Sequence, residues 1–252
     1  MRVWLSFILL LCAAACAEAD PGLATDEGDM VIERPSRSSA LLPKVHDKLL
    51  EDGHFETIAD AFNAAWKLPR DLTVKHELCG ESNAFYRHRD STIRMCFELL
   101  EEIEEAFASQ VEAGTIDEDR SEGFVVGTWL FIFLHELGHA VIDLYDLPVL
   151  GMEEDAADKF ASLVLIEDGA TKLALDAAVF WGITDTEKHT ELQYNDSHGL
   201  NPQRLATIAC LSYGSDPDTF EALAPYFKTR DCKYEHTANK RDWHRLLEDW
   251  RQ

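Results

Sequence analysis

The segment from Phe124 to Tyr145 constrains the fold of this chain more than any other part of its sequence. It is apolar on nearly all sides of a helix, yet it contains two histidines and a glutamate: His135, Glu136 and His139. Such a segment is either a membrane span or the central helix of a protein core. The apolar stretch before the first histidine is only about ten residues long, which is short for a bilayer. We therefore predict a buried central helix and no stable membrane span.

The polar residues inside this helix have a spacing that suits a metal ion. His135 and His139 are four residues apart, so both imidazoles project from one face of the helix. Zinc is the ion usually bound by His-Glu-x-x-His, and Glu136 is placed to accept a proton from a water molecule that the metal polarises. A histidine that only forms hydrogen bonds within the core would explain one of these three groups but hardly all of them, since burying polar groups without partners is costly. The pattern predicts one Zn²⁺ with His135 and His139 as ligands and Glu136 as the catalytic base.

A third metal ligand is expected on the next helix, which follows a break at Leu147-Pro148. Glu154 and Asp158 are four residues apart and share a face next to the apolar stripe of that helix. We predict Glu154 as the third ligand and Asp158 as the carboxylate that holds the far nitrogen of a ligand histidine. Glu153 is the lesser candidate, because it lies about 100° further round the helix. The alternative is an acidic first turn that only complements the helix dipole.

These motifs resemble the gluzincin branch of the zincin metallopeptidases, in which His-Glu-x-x-His is followed by Glu-x-x-x-Asp on the next helix. From about residue 45 to 250, the chain also resembles a bacterial family of metallopeptidases with no established substrate. The matching segments are Cys79–Gly80, Asn83–Tyr86, Cys96–Leu100, His135–His139, Leu147–Gly151, Glu153–Asp158, His198–Arg204 and Cys210–Gly214. The resemblance implies a compact zincin-like catalytic domain at 45–252, which is α+β and mainly α-helical with a small edge sheet or hairpin.

The resemblance also implies roles for residues outside the two helices. His198 and Arg204 resemble basic residues that follow the metal ligands in several zincins, where they can hydrogen-bond the oxyanion of the tetrahedral intermediate. From the residues alone, Asn201-Pro202 is also a plain helix start, and Arg204 could be a surface or capping group. An edge strand that aligns the substrate backbone would come from Phe85-Tyr86 or from Ile93 to Phe97.

The first 19 residues have the three-part pattern of a secretory signal peptide. Arg2 precedes an apolar run from Val3 to Leu11, and small residues follow it. Cleavage after Ala17 fits the small-x-small rule, whereas a lipoprotein site at Cys16 would follow Ala13, a position where a larger residue is usual. We therefore predict export to the periplasm or the extracellular space, with lipoprotein anchoring as the less favoured alternative.

Four cysteines remain after the signal peptide, and an even number in an exported protein predicts disulfides. Three pairings are possible, and we favour the one in which each bond closes a short loop, Cys79 with Cys96 and Cys210 with Cys232. None of the four has the Cys-x-x-Cys spacing of a structural zinc site.

The remaining pattern predicts secondary structure around the central helix. Residues 20–44 are rich in Asp, Glu, Ser and Pro, which predicts a flexible leader. Apolar residues at helical spacing predict helices from Val45 to Trp66 and from Glu98 to Ala113. A small hairpin or edge sheet is expected between them, pinned by the Cys79–Cys96 bond.

Length and charge limit the classes of function. The chain has 252 residues, 46% of them hydrophobic, which is enough for one sizeable core and predicts a single domain. Its net charge is −24, so we expect neither a nucleic acid nor an anionic membrane surface as a partner. The expected function is that of an exported zinc-dependent metallopeptidase acting on a peptide or protein substrate. The alternatives are hydrolysis of a non-peptide amide, a degenerate zincin that serves as a binding or inhibitory module, and a periplasmic metal-binding protein.

Overall fold

The computed structural model describes residues 25–33, 53–185 and 200–252. The predicted signal peptide at 1–19, most of the predicted leader, and His198 lie outside the described residues. The strands are Met30–Glu33 (β1), Leu72–Glu77 (β2), Ala84–Arg87 (β3) and Thr92–Cys96 (β4). The α-helices are His54–Ala65 (α1), Phe97–Glu112 (α2), Glu118–Leu144 (α3), Glu153–Glu167 (α4), Thr171–Ile183 (α5), Asn201–Ser215 (α6) and Cys232–Leu246 (α7), with short 3₁₀ helices at Glu221–Tyr226 and Glu248–Trp250.

The fold is α+β and mainly helical, as the sequence predicted. The strands form one four-stranded sheet in the order β1-β2-β4-β3. β1 and β2 are parallel, β2 and β4 are parallel, and β3 is antiparallel to β4 in a register that places Tyr86 opposite Ile93. β3 therefore forms an edge of the described sheet, next to α3.

Part of the predicted flexible leader is structured. Met30–Glu33 forms β1, which extends the expected hairpin to a four-stranded sheet. The Asn63 side chain on α1 accepts a hydrogen bond from the Met30 N–H at 2.7 Å and donates one to the Met30 carbonyl at 3.1 Å. These bonds and the pairing with β2 order a run that is too short to show an apolar period in the sequence. The helix predicted over Val45–Trp66 overlaps α1, but residues 45–52 lie outside the described residues.

Helix α3 is the centre of the core. It is long and apolar enough to span a membrane by composition, but 89% of its most apolar stretch is buried inside the protein. Trp129, Phe131 and Phe133 are fully buried. Helices α2, α4 and α5 pack against α3, and β3 and β4 contact it from the other side. This burial on all sides explains why the segment lacks the polar face of a surface helix.

Two disulfides brace the domain, Cys79–Cys96 and Cys210–Cys232, and they are the two local pairs that the sequence favoured. The first joins the loop before β3 to the end of β4. In that loop, the Glu98 carboxylate accepts hydrogen bonds from the N–H groups of Cys79 and Gly80 at 3.1 and 2.7 Å. The second joins α6 to the first residue of α7.

Asp176 on α5 is a buried carboxyl that makes the stability of the fold depend on pH. It is only 4% exposed, and this burial raises its pKa from 3.8 to about 6, against the lowering charges of Lys172 and Arg120. Between about pH 4 and pH 6, the folded chain keeps a proton that the unfolded chain has released. The free energy of unfolding therefore falls as the pH rises through this window, and it stays lower above it.

We expect Asp176→Asn to raise the free energy of unfolding at pH 7 by about 1–2 kcal/mol, because the asparagine has no charge to desolvate. Urea denaturation at pH 4, 5, 6 and 7 measures the effect, with Asp218→Asn at an exposed position as the control. The gap between Asp176→Asn and the wild type should widen from pH 4 to pH 6. A gap that is constant with pH would contradict the assignment.

Candidate metal centre

The close packing of α3 and α4 brings the predicted metal ligands together. His135 and His139 lie on α3, and Glu154 lies in the first turn of α4. Gly138 allows the approach, because a Cβ atom added there would lie 3.0 Å from the Ala157 Cα. A larger residue at this position would push the two helices apart and separate the three side chains.

Three ligand atoms form a nearly equilateral triangle. His135 Nε2 lies 3.2 Å from His139 Nε2 and 3.1 Å from Glu154 Oε2, and His139 Nε2 lies 3.4 Å from the same oxygen. In a tetrahedral zinc site, ligand atoms at about 2.0–2.1 Å from the metal are roughly 3.3 Å from one another. The residues therefore fit a zinc ion in both chemistry and spacing.

The far nitrogens of both imidazoles are held by carboxylates. His135 Nδ1 lies 2.8 Å from Asp158 Oδ1, and His139 Nδ1 lies 2.7 Å from Glu153 Oε1. A carboxylate can only accept, so each Nδ1 carries the proton and the neutral ring keeps a lone pair on Nε2. With both rings neutral, two nitrogen lone pairs and a carboxylate oxygen face one another at about 3 Å, an arrangement that needs a metal ion between them or a proton on one Nε2 atom.

Glu153 has a role that the sequence analysis missed. It was considered only as the lesser candidate for the third ligand, but its carboxylate holds His139. Asp158, which is predicted to hold the far nitrogen of a ligand histidine, contacts His135. A signal for this contact was present in the sequence: two predicted ligand histidines each need a partner for Nδ1, and the first turns of α4 carry a carboxylate for each.

The electrostatics of the centre favour a positive charge. Burial lowers the pKa of His135, but the charge and hydrogen bond of Asp158 and the hydrogen bond to Glu154 outweigh it and raise the pKa to about 9. Burial also lowers the pKa of His139, but hydrogen bonds to Glu154 and Glu153 outweigh it and raise the pKa. The side chains thus stabilise a cation at this point, and a metal ion that binds here must displace protons.

Arg204 does not lie where the resemblance to zincins implied. It was predicted to hydrogen-bond an oxyanion, but it does not line the cleft at the metal centre. Its Nε and Nη2 donate to both oxygens of Asp158, at 2.8 and 2.7 Å, and its guanidinium stacks 4.0 Å above the Trp181 ring. The charges of Arg204 and His135 lower the pKa of Asp158 far below its ordinary value, although burial acts in the opposite direction. Arg204 thus holds Asp158, which in turn contacts His135.

We expect Arg204→Gln to lower the zinc affinity about 10- to 100-fold, because Asp158 would lose the partner that fixes its orientation towards His135. Arg204→Lys should restore part of that affinity, since it keeps the charge but not the two-pronged geometry. Competition with a chromophoric chelator measures the affinity. Arg230→Gln is the matched control, because Arg230 makes the same kind of paired contact with Glu235 away from the metal centre. Equal zinc affinity in Arg204→Gln and the control would refute this role.

An open cleft lies between α3, the start of α4 and the edge strand β3. It has a volume of about 500 Å³ and is lined by Asn83, Ala84, Phe85, Tyr86, His88, Glu136, His139, Met152, Glu153 and Glu154. The Glu136 carboxylate is buried, and its Oε2 accepts a hydrogen bond of 2.7 Å from the Tyr86 N–H. The predicted catalytic base therefore lies between the metal centre and the edge strand.

The backbone of β3 presents hydrogen-bonding groups to this cleft. The Asn83 carbonyl accepts a hydrogen bond from the Cys96 N–H, so the backbone groups of residue 83 face β4. The Tyr86 N–H points away from β4 and donates to Glu136. Because these groups alternate along a strand, the carbonyls of Ala84 and Tyr86 also point away from β4. Of the two segments considered for the edge strand, Ile93–Phe97 is excluded, because β4 lies between β2 and β3.

The domain is α+β, and beside its cleft it carries His-Glu-x-x-His and a carboxylate as the third candidate ligand. These features define the class of candidate metal-dependent hydrolases. A family model described as "Putative metallopeptidase" matches residues 37–247, and the chain belongs to this family. None of the curated proteins and none of the solved structures matches the chain.

Proposed function

We propose that this protein is an exported, zinc-dependent metallopeptidase of the gluzincin type that hydrolyses peptide bonds. The proposal is supported above all by the convergence of His135, His139 and Glu154, whose ligand atoms lie within 4.8 Å of one another beside the cleft. These three residues would hold the ion, while Asp158, Glu153 and Arg204 would keep the two imidazoles in the binding orientation.

Glu136 is the proposed general base and proton shuttle. A zinc ion bound here supplies Lewis acidity, which lowers the pKa of a bound water and polarises a carbonyl. The Tyr86 N–H donates a hydrogen bond to Oε2 of Glu136 and so fixes the orientation of the carboxylate. Its other oxygen, Oε1, would then accept the proton of the attacking water. The same oxygen can then return the proton to the leaving amine.

The edge strand β3 is the proposed binding site for the substrate backbone. The carbonyls of Ala84 and Tyr86 point away from β4 and can accept N–H groups from an extended peptide. Such pairing would hold the peptide alongside β3 in the cleft that Glu136 also lines. Substrates would therefore bind as extended segments rather than as folded helices.

Export is supported by the two disulfides, which fit an oxidising compartment. We propose a signal peptide at residues 1–19, a leader at about 20–44 and a catalytic domain at 45–252. The proposed location is the periplasm or the extracellular space.

A peptide library tests the proposed activity. The protein lacking residues 1–19 is loaded with zinc and incubated with an unbiased peptide mixture, and the products are sequenced by mass spectrometry. We expect cleavage that stops when a chelator removes the metal and resumes when zinc is restored. Cleavage that survives chelation, or the absence of any cleavage by the zinc-loaded protein, would contradict the proposal.

A further inference from the structure

Basic side chains gather around the turn from β3 to β4 and beside Asp143, which contacts both Arg70 and His88. We define the basic rim as Arg70, Arg87, His88 and Arg89. Its members stand out in a chain with a net charge of −24. Among them, His88 lines the cleft itself.

Two members of the rim, Arg70 and His88, are held by Asp143, near the C-terminal end of α3. One oxygen of Asp143 accepts from the Tyr86 hydroxyl at 2.6 Å and from Arg70 Nη2 at 2.8 Å. The other oxygen lies 3.1 Å from His88 Nδ1. Because Nδ1 faces Asp143, the Nε2 atom of His88 is directed away from it. The side chain of His88 is 63% exposed, so a ligand can reach it.

The position of the rim relative to Glu136 follows from the geometry of α3. Glu136 and Asp143 are seven residues apart, which is two helical turns on the same face and about 10 Å along the axis. Tyr86 spans this distance, since its N–H donates to Glu136 and its hydroxyl donates to Asp143. Along the direction of β3, His88 follows Tyr86 by two residues, which is about 7 Å of extended backbone. A substrate side chain at the rim would therefore lie two to three residues from the scissile bond.

The charge of the rim is positive even after its internal ion pairs are counted. Three guanidinium groups and one imidazole stand against two carboxylates, Asp90 and Asp143. Arg87 pairs with Asp90, and Arg70 pairs with Asp143. Arg89 is exposed beside His88.

We propose that the basic rim binds an acidic side chain of the substrate, two to three residues to the N-terminal side of the scissile bond. The direction follows from antiparallel pairing with β3, which is the more stable arrangement per residue. The rim lies at the C-terminal end of β3, and an antiparallel peptide brings its N-terminal part to that end. This inference rests on the proposed peptidase function and names the substrate class of the same cleft.

The test compares matched peptides that carry Glu or Gln at a single position, with all other positions randomised. The zinc-loaded wild type should cleave the Glu peptides about three- to fivefold more efficiently when this position lies two or three residues before the cut, as expected for an exposed ion pair. The preference should decline as salt is added, because the contact is solvent-accessible. The ratio of the two rates is the measured quantity, so a general loss of activity does not alter it.

Reversing the charge of the rim shows how much the rim contributes to the preference for Glu peptides. His88→Gln combined with Arg89→Glu should abolish or invert the Glu-to-Gln ratio, whereas Arg241→Glu, at an exposed position on α7, should leave the ratio unchanged. An unaltered ratio in the double variant would overturn the inference. A preference for Glu on the C-terminal side of the cut would overturn the antiparallel direction.

A binding measurement separates this inference from the proposed activity. Fluorescence anisotropy with labelled Glu and Gln peptides uses the zinc-loaded Glu136→Gln protein, with and without the rim substitutions. If Glu peptides bind more tightly than Gln peptides and the rim substitutions remove the difference, the inference is supported, whether or not the wild type cleaves peptides. An absence of cleavage by the wild type would contradict only the peptidase function. Equal binding of both peptide sets would overturn the inference even if cleavage were observed.

Discussion

Replacing Glu136 by glutamine is expected to lower peptide-bond hydrolysis by about 10²- to 10⁴-fold without loss of zinc. Glutamine has nearly the same shape, and its side-chain carbonyl can still accept the Tyr86 N–H that now bonds to Glu136 Oε2. It cannot, however, accept a proton from water at neutral pH. The loss should therefore lie in kcat, with little change in KM, because the substrate would still pair with β3.

The measurement is steady-state hydrolysis of a fluorogenic peptide chosen from the library products, with the zinc content determined on the same samples. Glu101→Gln, an exposed position on α2, controls for the change in charge. Activity of Glu136→Gln equal to that of this control would remove Glu136 from the proposed mechanism. Loss of zinc together with activity would instead show that Glu136 acts on the metal site rather than as a base.

Replacing His139 by alanine is expected to lower the zinc affinity more than 100-fold, the largest effect on metal binding that a single substitution should have here. The variant would keep His135 and Glu154, two ligand atoms 3.1 Å apart, but the third corner of the triangle would be empty. Glu153 would also lose the partner that it holds at 2.7 Å. The thermal stability should report the same loss, because an ion that binds only the folded state stabilises it.

Titration with zinc in the presence of a competing chelator gives the affinity, and thermal unfolding with and without zinc gives the stabilisation. The control is His244→Ala on α7, since His244 contacts Glu167 at 3.0 Å and lies outside the cleft. Zinc should raise the melting temperature of the wild type and of the control but not of His139→Ala. A variant that binds zinc as tightly as the wild type would show that His139 is not a ligand.

The central helix and its polar residues could be predicted because the information is local. The apolar character of the segment around His135 requires burial, and the four-residue spacing to His139 fixes a common face. The same helical geometry predicted that Asp158 faces the histidines of α3, and the structure has a contact of 2.8 Å between Asp158 and His135. The fold class follows from the same periodic patterns.

The contacts that the sequence did not reveal join distant parts of the chain. Arg204 meets Asp158 across 46 residues, and no periodicity within α6 indicates that its guanidinium faces α4 rather than the cleft. β1 pairs with β2 across a separation of about 40 residues, and its short apolar run becomes a strand only beside that partner. Glu153 is the lesser candidate for the third ligand because of its angle round the helix, and the same angle brings its carboxylate to the Nδ1 atom of His139.

The central claim is that His135, His139 and Glu154 hold one zinc ion, and X-ray absorption at the zinc edge of the purified protein tests it most directly. The predicted spectrum is that of about one zinc per chain with two imidazole nitrogens and carboxylate and water oxygens at about 2.0–2.2 Å. In His139→Ala most of the zinc should be lost, and any that remains should show one imidazole nitrogen instead of two. Sulfur ligands, several weakly bound ions per chain, or an unchanged spectrum in that variant would contradict the assignment.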